Sequence, residues 1–128
     1  MKTNYKVAIA LVAGAAIGGA AIQGLHAQAK PKAYGVTEVE TLDAAATAVF
    51  VPAVVAAQKA AGGRNLRTGG GKIVAMVGAP PQRVVITEWD SLEQAQAFYN
   101  SKAWKDDLAL KQDKAQKTIR RYFVEVAQ

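Results

Sequence analysis

Three charged residues on different predicted strands are the first candidates for chemistry in this 128-residue chain. Strand alternation allows Glu38, Glu88 and Arg121 to face a lumen shared by two copies of the chain. In such a lumen, burial raises the pKa of a carboxylate towards that of a useful general base. Arg83, at the start of a predicted strand, is a further anion-binding candidate. The alternative is an interface network of ion pairs, because the sequence does not show the strand register.

A group of aromatic residues near the start of a predicted helix is the second candidate site. Its members are Trp89, Phe98, Tyr99 and Trp104, with the polar residues Asn100 and Ser101 beside them. Aromatic walls with a few polar groups are typical of pockets for small ligands. The same residues also suit a hydrophobic core beneath the helix, so the sequence leaves pocket and core both open.

Composition excludes several kinds of chemistry. The chain has no cysteine, which excludes disulfides, iron–sulfur clusters, thiolate zinc sites and cysteine nucleophiles. Its single histidine, His26, lies in a predicted leader, so the mature chain has no imidazole for a haem, a zinc site or a Ser-His-Asp triad. There is no EF-hand loop or compact acidic cluster. We therefore expect neither a metal site nor a cofactor.

Residues 1–29 have the three parts of a secretory signal peptide. Lys2 and Lys6 form a basic start, an apolar run covers 7–22, and Ala27-Gln28-Ala29 has the form of a cleavage site. The apolar run is short for a transmembrane helix, which needs about twenty residues. We expect cleavage after Ala29, a tether at 30–32, and a folded domain at 33–128. That domain is expected to be periplasmic or secreted, with no stable membrane anchor after cleavage.

Helix signals occur in two parts of the mature chain. Asp43 is placed to cap a first helix that ends at Gly62-Gly63, and Pro52 is expected to kink it or divide it in two. Ser91 caps a second helix with Gln94 at the capping-box position. Ser101 restarts that helix, which continues to residue 117.

Strand signals complete an α+β pattern. The predicted strands are 33–40, 64–68, 72–77, 83–90 and 118–126, and the second and third form a hairpin around Gly69-Gly70-Gly71. The element order predicts a ferredoxin-like split βαβ fold with an antiparallel sheet and an extra β-hairpin.

The second face of this sheet also needs a cover. Right-handed crossovers place both helical regions on one face, yet Val84-Val85-Ile86 is apolar on both faces of its strand. A second copy of the chain is the most economical cover. We therefore expect a homodimer in the form of a dimeric α/β barrel.

Several short motifs occur in a recognisable order. They are Gly62-Gly63-Arg64, Gly70-Gly71-Lys72, Pro81-Gln82-Arg83-Val84-Val85, Trp89-Asp90-Ser91, Ala97-Phe98-Tyr99-Asn100-Ser101 and Trp104. Together they resemble domain of unknown function family 1330, in the dimeric α/β-barrel superfamily. The resemblance covers 33–126 and implies a ferredoxin-like dimer without an established activity. Sister families of the same fold include cofactor-free monooxygenases.

Two classes of function remain open. The first is an exported homodimer that binds a compact, partly aromatic or acidic small molecule, or acts on it as a cofactor-independent enzyme, with no reaction assignable. The alternative is a non-catalytic structural or interaction module. Its basic segment 102–121, with seven basic and three acidic residues, would dock on an acidic partner. Nucleic acid is not an expected partner, because the aromatic pattern of RNA-recognition motifs is missing.

Overall fold

The structure, a computed structural model, describes residues 30–128. The signal-peptide prediction, cleavage after Ala29 and the position of His26 therefore lie outside the described residues.

Four antiparallel strands form one sheet in the order β2-β3-β1-β4. They are β1 Ala33–Thr41, β2 Arg64–Asn65, β3 Arg83–Trp89 and β4 Gln116–Glu125. Thr37 of β1 opposes Val85 on one side and Arg121 on the other. The first, third and last of these strands confirm predicted strands to within two residues at each end.

Helices α1 (Ala44–Ala60) and α2 (Leu92–Asn100) connect the strands. A π-helical segment, Trp104–Leu108, leads into α3, Ala109–Ala115, which precedes β4. Side chains of all these helical segments pack with Trp89 of β3 into one core cluster. This arrangement is a mixed α+β fold consistent with the expected ferredoxin-like class.

The capping signals predict the helix ends well. Asp43 accepts a hydrogen bond from the backbone of Ala46 at 2.9 Å, and Ser91 accepts one from Gln94 at 3.1 Å. At the end of α1, Gly62 has a φ of 91°, and the backbone N–H of Gly63 donates to the carbonyl of Gln58 at 2.8 Å. This is the Schellman arrangement that a glycine after a helix favours.

The expected division of the first helix at Pro52 is wrong. Helix α1 continues through Pro52 without a break. Proline removes the hydrogen bond to the carbonyl four residues earlier, here that of Ala48. Both Pro52 and Ala48 are exposed, so water can bind the carbonyl that loses its partner.

The expected extra β-hairpin is also wrong. Only Arg64–Asn65 pairs as a strand, and it pairs with β3 instead of with 72–77. The Thr68 hydroxyl donates to the carbonyl of Val84 at 2.7 Å and accepts from the N–H of Ile86 at 2.9 Å. A side chain therefore takes the place of a backbone partner along β3. Arg67, with a φ of 61°, has a left-handed backbone conformation between the paired residues of β2 and Thr68.

The two faces of the sheet differ. The helix face carries Trp89 and Phe123, both in contact with the core cluster. We call the opposite side the open face, which carries Val36 and its strand partners Ile86 and Tyr122. Because side chains alternate along a strand, Arg120 and Arg121 of β4 fall on opposite faces.

Candidate functional site

A cavity of about 900 Å³ lies between α1 and the helix face of the sheet. Phe50, Val54 and Val55 of α1 line one wall, and Val85 of β3 lines the other. In most proteins the side chains between a helix and a sheet pack closely and leave no space of this size. The cavity is therefore a distinct feature of this fold. Its volume falls in the range of cavities that hold small organic ligands.

Arg121 brings a positive charge into this cavity. Its Nε donates to the Thr37 hydroxyl at 3.2 Å, and its Nη2 donates to Gln112 Oε1 at 2.6 Å. The guanidinium carbon lies 4.7 Å from the centre of the Tyr99 ring and 4.8 Å from that of Trp104. Burial lowers the pKa of Arg121, whereas the nearby Tyr99 and Asp113 raise it. These contacts hold the planar guanidinium in place before any ligand arrives.

The charge of Arg121 lacks an anionic partner in residues 30–128. No carboxylate of this part of the chain lies within ion-pair distance of its guanidinium. Both of its side-chain acceptors, Thr37 and Gln112, are neutral. A partly buried cation surrounded by neutral acceptors is a site where an anion is favoured.

Two further polar groups line the same cavity. Gln58 of α1 is only 3% exposed, and its Oε1 has no hydrogen-bond partner among the described residues. Tyr99 is half-buried, and burial raises the pKa of its phenol, an effect that the charge of Arg121 partly offsets. A buried amide oxygen without a partner is costly unless another molecule binds it.

The mouth of the cavity is basic. Besides Arg121, the lining includes Lys59, Arg64, Arg67 and Arg83, and it includes no acidic residue within the described chain. Arg64 is paired with Glu88 at 2.6 Å, and Arg83 donates to the carbonyl of Gly69 at 3.3 Å. The charges around the opening therefore favour the approach of an anion.

Glu38 and Glu88 lie on the open face, away from Arg121. Arg120 donates two hydrogen bonds to Glu38, from Nε to Oε2 and from Nη2 to Oε1, the second at 3.0 Å. Glu88 accepts from Lys32 and from Tyr34, each at 2.9 Å. Within one chain, the two carboxylates and Arg121 are therefore not brought together.

In the single chain the pKa values of both carboxylates are lowered, and the rise expected in a lumen between two copies stays a prediction. Hydrogen bonding from Arg120 lowers the pKa of Glu38, and hydrogen bonding from Lys32 and Tyr34 lowers that of Glu88. Charge-assisted hydrogen bonds stabilise the ionised form more than burial destabilises it here. Both groups therefore behave as ion-pair partners in the single chain.

The aromatic candidates divide between core and cavity. Trp89 and Phe98 are 1% and 4% exposed and belong to the core, where Trp89 Nε1 donates to the Thr87 hydroxyl at 3.1 Å. Tyr99 and Trp104 contact the core and also line the cavity. The two rings make a T-shaped contact with centroids 4.7 Å apart, so the packing of the core also fixes the position of the cavity wall.

The two polar candidates beside them are not in the cavity lining. Asn100 is exposed at the end of α2. The Ser101 hydroxyl donates to the carbonyl of Phe98 at 2.6 Å and accepts from the N–H of Trp104 at 3.3 Å. Ser101 therefore has a local capping role in the turn that leads to the π-helical segment.

Sequence reasoning missed the polar residues that surround Arg121, above all Gln58 and Gln112. Each lies four residues after a buried apolar residue, Val54 and Leu108 respectively. Residues at that spacing share one face of a helix. A glutamine on an otherwise apolar face is the signal that could have identified both.

The basic segment 102–121 does not form one continuous basic surface. Arg121 turns into the cavity, Arg120 pairs with Glu38 on the open face, and Lys111 pairs with Asp107 at 3.0 Å. The other four lysines of the segment are exposed. Three of its seven basic residues are thus already engaged within the chain.

The chain belongs to a family of unknown function. Residues 32–125 match the family model described as Domain of unknown function (DUF1330), which covers nearly all of the described structure. No curated protein matches the chain. Within residues 30–128, no helix has the length and apolar character needed to cross a membrane.

Two solved structures share the fold. The crystal structure of methylated RPA0582 protein is 14% identical, with a TM-score of 0.56 over 77% of this chain and 83% of that one. The structure of the RPA0582 protein of unknown function from Rhodopseudomonas palustris, a structural genomics target, is also 14% identical. Its TM-score is 0.53, over 76% of this chain and 82% of that one. At this identity the likeness shows the fold alone.

Proposed function

We propose that this protein is an exported, homodimeric small-molecule-binding protein whose ligand occupies the cavity around Arg121. The observation that carries the proposal is the cavity itself, about 900 Å³ in volume. It combines an apolar wall from Phe50, Val54 and Val85 with a few polar groups held in fixed positions. This combination is typical of binding sites for small organic molecules.

The proposal is limited to binding. Among the described residues that line the cavity there is neither a carboxylate nor an imidazole to act as a general base. Burial raises the pKa of Tyr99 above its ordinary value of 10.0, so its phenol is protonated at neutral pH, as an unshifted tyrosine would also be. Binding therefore requires nothing beyond the side chains that line the cavity, whereas a carboxylate or imidazole base would have to come from elsewhere.

A second copy of the chain is proposed to cover the open face. The row of residues across its middle, Tyr122, Val36 and Ile86, is apolar. Tyr122 and the neighbouring Val124 are 47% and 51% exposed. Glu38 and Glu88, on either side of this row, are already paired within the chain, so covering these two leaves neither carboxylate without a partner. Export rests on the signal-peptide pattern of residues 1–29.

Native mass spectrometry of protein purified from the exported fraction tests these proposals together. We expect twice the mass of a chain beginning at Lys30, with an additional non-protein mass that is lost on denaturation. A dimer that carries no additional mass, and that shows no change in melting temperature with a broad panel of small organic molecules, would contradict ligand binding. A monomer would contradict dimerisation.

A cavity-filling substitution links any retained ligand to this site. Val55 lines the cavity and is 36% exposed, so Val55→Trp places a larger side chain in the cavity without disrupting the core. Val49 is on the same helix, is 67% exposed and is not part of the lining, which makes Val49→Trp the matched control. We expect the additional mass to be lost only in Val55→Trp. Its retention in that variant would place the ligand elsewhere.

A further inference from the structure

We infer that the ligand of this cavity is a small carboxylic acid with an apolar body, and that its carboxylate binds the guanidinium of Arg121. This inference rests on the proposed function and adds the chemical class of the ligand. It follows from the unpaired charge of Arg121, from the donors that remain on it, and from the apolar wall opposite.

Arg121 has hydrogen-bonding capacity to spare. A guanidinium has five N–H groups. One hydrogen bond to Thr37 and one to Gln112 leave the others available to a ligand. Because the fork is planar and already fixed by Gln112 and by two aromatic rings, two parallel hydrogen bonds to a carboxylate need little reorganisation.

The surroundings favour one anionic group on an otherwise apolar molecule. Arg83 also lines the cavity but lies two strands away from Arg121, roughly 12 Å between Cα atoms at ordinary strand spacing. A compact ligand bound beside the aromatic residues can therefore contact Arg121 but does not reach Arg83 at the same time. Its body then lies against Phe50, Val54 and Val85.

The Gln58 amide supplies a second polar contact. Its Oε1 is buried without a partner among residues 30–128 and belongs to the same lining as Arg121. A hydroxyl or other donor on the ligand would satisfy it. The basic residues at the mouth, Lys59 and Arg67 among them, add long-range attraction for the anion.

The test compares carboxylates with their neutral amides of almost equal shape. Titration calorimetry would use benzoate with benzamide, phenylacetate with phenylacetamide, and naphthoate with naphthamide, on the mature wild-type protein. We expect at least one carboxylate to bind about tenfold or more tightly than its amide, because a charge-assisted pair with arginine is lost in the amide. The affinity of that carboxylate should fall as salt is added.

Two adjacent arginines provide the variant and its control. Arg121→Gln should remove the preference for the carboxylate while the amide binds as before. Arg120→Gln removes the same charge from the neighbouring position on the open face and should keep the preference. Equal binding of carboxylates and amides to wild type would overturn this inference and leave the proposed function standing. No binding by any pair would also overturn this inference, whereas the proposed function is decided separately by the retained mass and the broad panel. Unchanged preference in Arg121→Gln would place the anion at another site.

Discussion

Adjacent residues of β4 show how strand alternation decides the role of a side chain. Arg120 and Arg121 have the same chemistry, yet Arg120 pairs with Glu38 on the open face, whereas Arg121 enters the cavity beneath α1. The difference in surroundings follows from the register with β1, in which Glu38 opposes Arg120 and Thr37 opposes Arg121. One residue of register shift would exchange the two roles.

Glu88 provides a prediction about stability in acid. Its pKa is lowered from the ordinary value of 4.5, first by the hydrogen bond from Lys32 and then by that from Tyr34. A carboxylate with a lowered pKa in the folded state contributes stability above its unfolded pKa, and this contribution is lost as pH falls through the folded value. Glu88→Gln should therefore melt at a lower temperature than wild type at neutral pH, and the difference should shrink below about pH 4.5.

Thermal melts from about pH 7 down to about pH 3 measure this difference. Glu40→Gln is the control for the loss of one negative charge, because Glu40 is exposed and makes no ion pair within the described chain. A difference between Glu88→Gln and wild type that stays constant, or grows, as the pH falls would contradict the ion-pair role of Glu88.

Several residues were predictable from the sequence and others were not. Arg121, Arg83, Tyr99 and Trp104 were identified as candidates from residue type and approximate strand position, and all four line the cavity. The grouping of Arg121 with the two glutamates was not realised within one chain, since the face of each side chain depends on the register. The sequence also does not show which cation pairs with a given carboxylate. Glu88, for example, pairs with Lys32 and Arg64, which are both distant from it in the chain.

At the scale of elements, the link between α1 and β2 gives a second prediction. A Cβ at Gly63 would lie 2.6 Å from Cη2 of Trp89, which is only 1% exposed. A ring packed this closely in the core cannot move without displacing its neighbours. Gly63→Ala should therefore reduce the free energy of unfolding by about 1–3 kcal/mol.

Chemical denaturation measures this loss against a glycine without such a neighbour. No atom of residues 30–128 lies within 4 Å of a Cβ added at Gly70, so Gly70→Ala should change stability by about 0.5 kcal/mol or less. Equal effects of the two substitutions would show that backbone freedom, and not contact with Trp89, determines the role of Gly63.

The elements also differ in how well local sequence specifies them. The helix ends could be predicted from Asp43, Gly62-Gly63 and Ser91, because the capping hydrogen bonds of these residues involve only near neighbours in the chain. The conformation of the segment after β2 could not be predicted in this way. It depends on hydrogen bonds between the Thr68 hydroxyl and the backbone of Val84 and Ile86, which are distant in sequence. A strand pattern predicts the capacity to pair, whereas the actual partner is set by the whole sheet.

At the scale of the whole molecule, the open face predicts self-association. Tyr122 lies at one end of the apolar row, on the edge strand β4, and is 47% exposed. Tyr122→Glu places a charge where a second copy is proposed to pack, and it should convert the dimer to a monomer. Leu110→Glu, at a 58% exposed position of α3, is the control and should remain dimeric.

Sedimentation equilibrium on the mature chain distinguishes these states. A wild-type monomer would contradict the proposed dimer. A dimer that survives Tyr122→Glu but not Leu110→Glu would place the interface on the helical side of the molecule.

The general fold was accessible from the sequence, whereas the cavity was not. The order of the elements and the family resemblance predicted a ferredoxin-like α+β domain, and the observed four-strand antiparallel sheet with its helices agrees with it. A cavity is the volume that side chains from several elements fail to fill, here between Phe50, Val85 and Arg121. No local pattern records such a volume, because it depends on the spacing of elements far apart in the chain.

The most direct test of the cavity as a binding site is a nitrogen-15 NMR titration of the mature protein with naphthoate, observing backbone amides and arginine Nε–H groups. We expect the largest shifts at Arg121 Nε–H and at the amides of Gln58 and Val55, because all three residues line the cavity. Shifts concentrated on the open face, around Tyr122 and Val36, or no shifts at all, would contradict binding in the cavity.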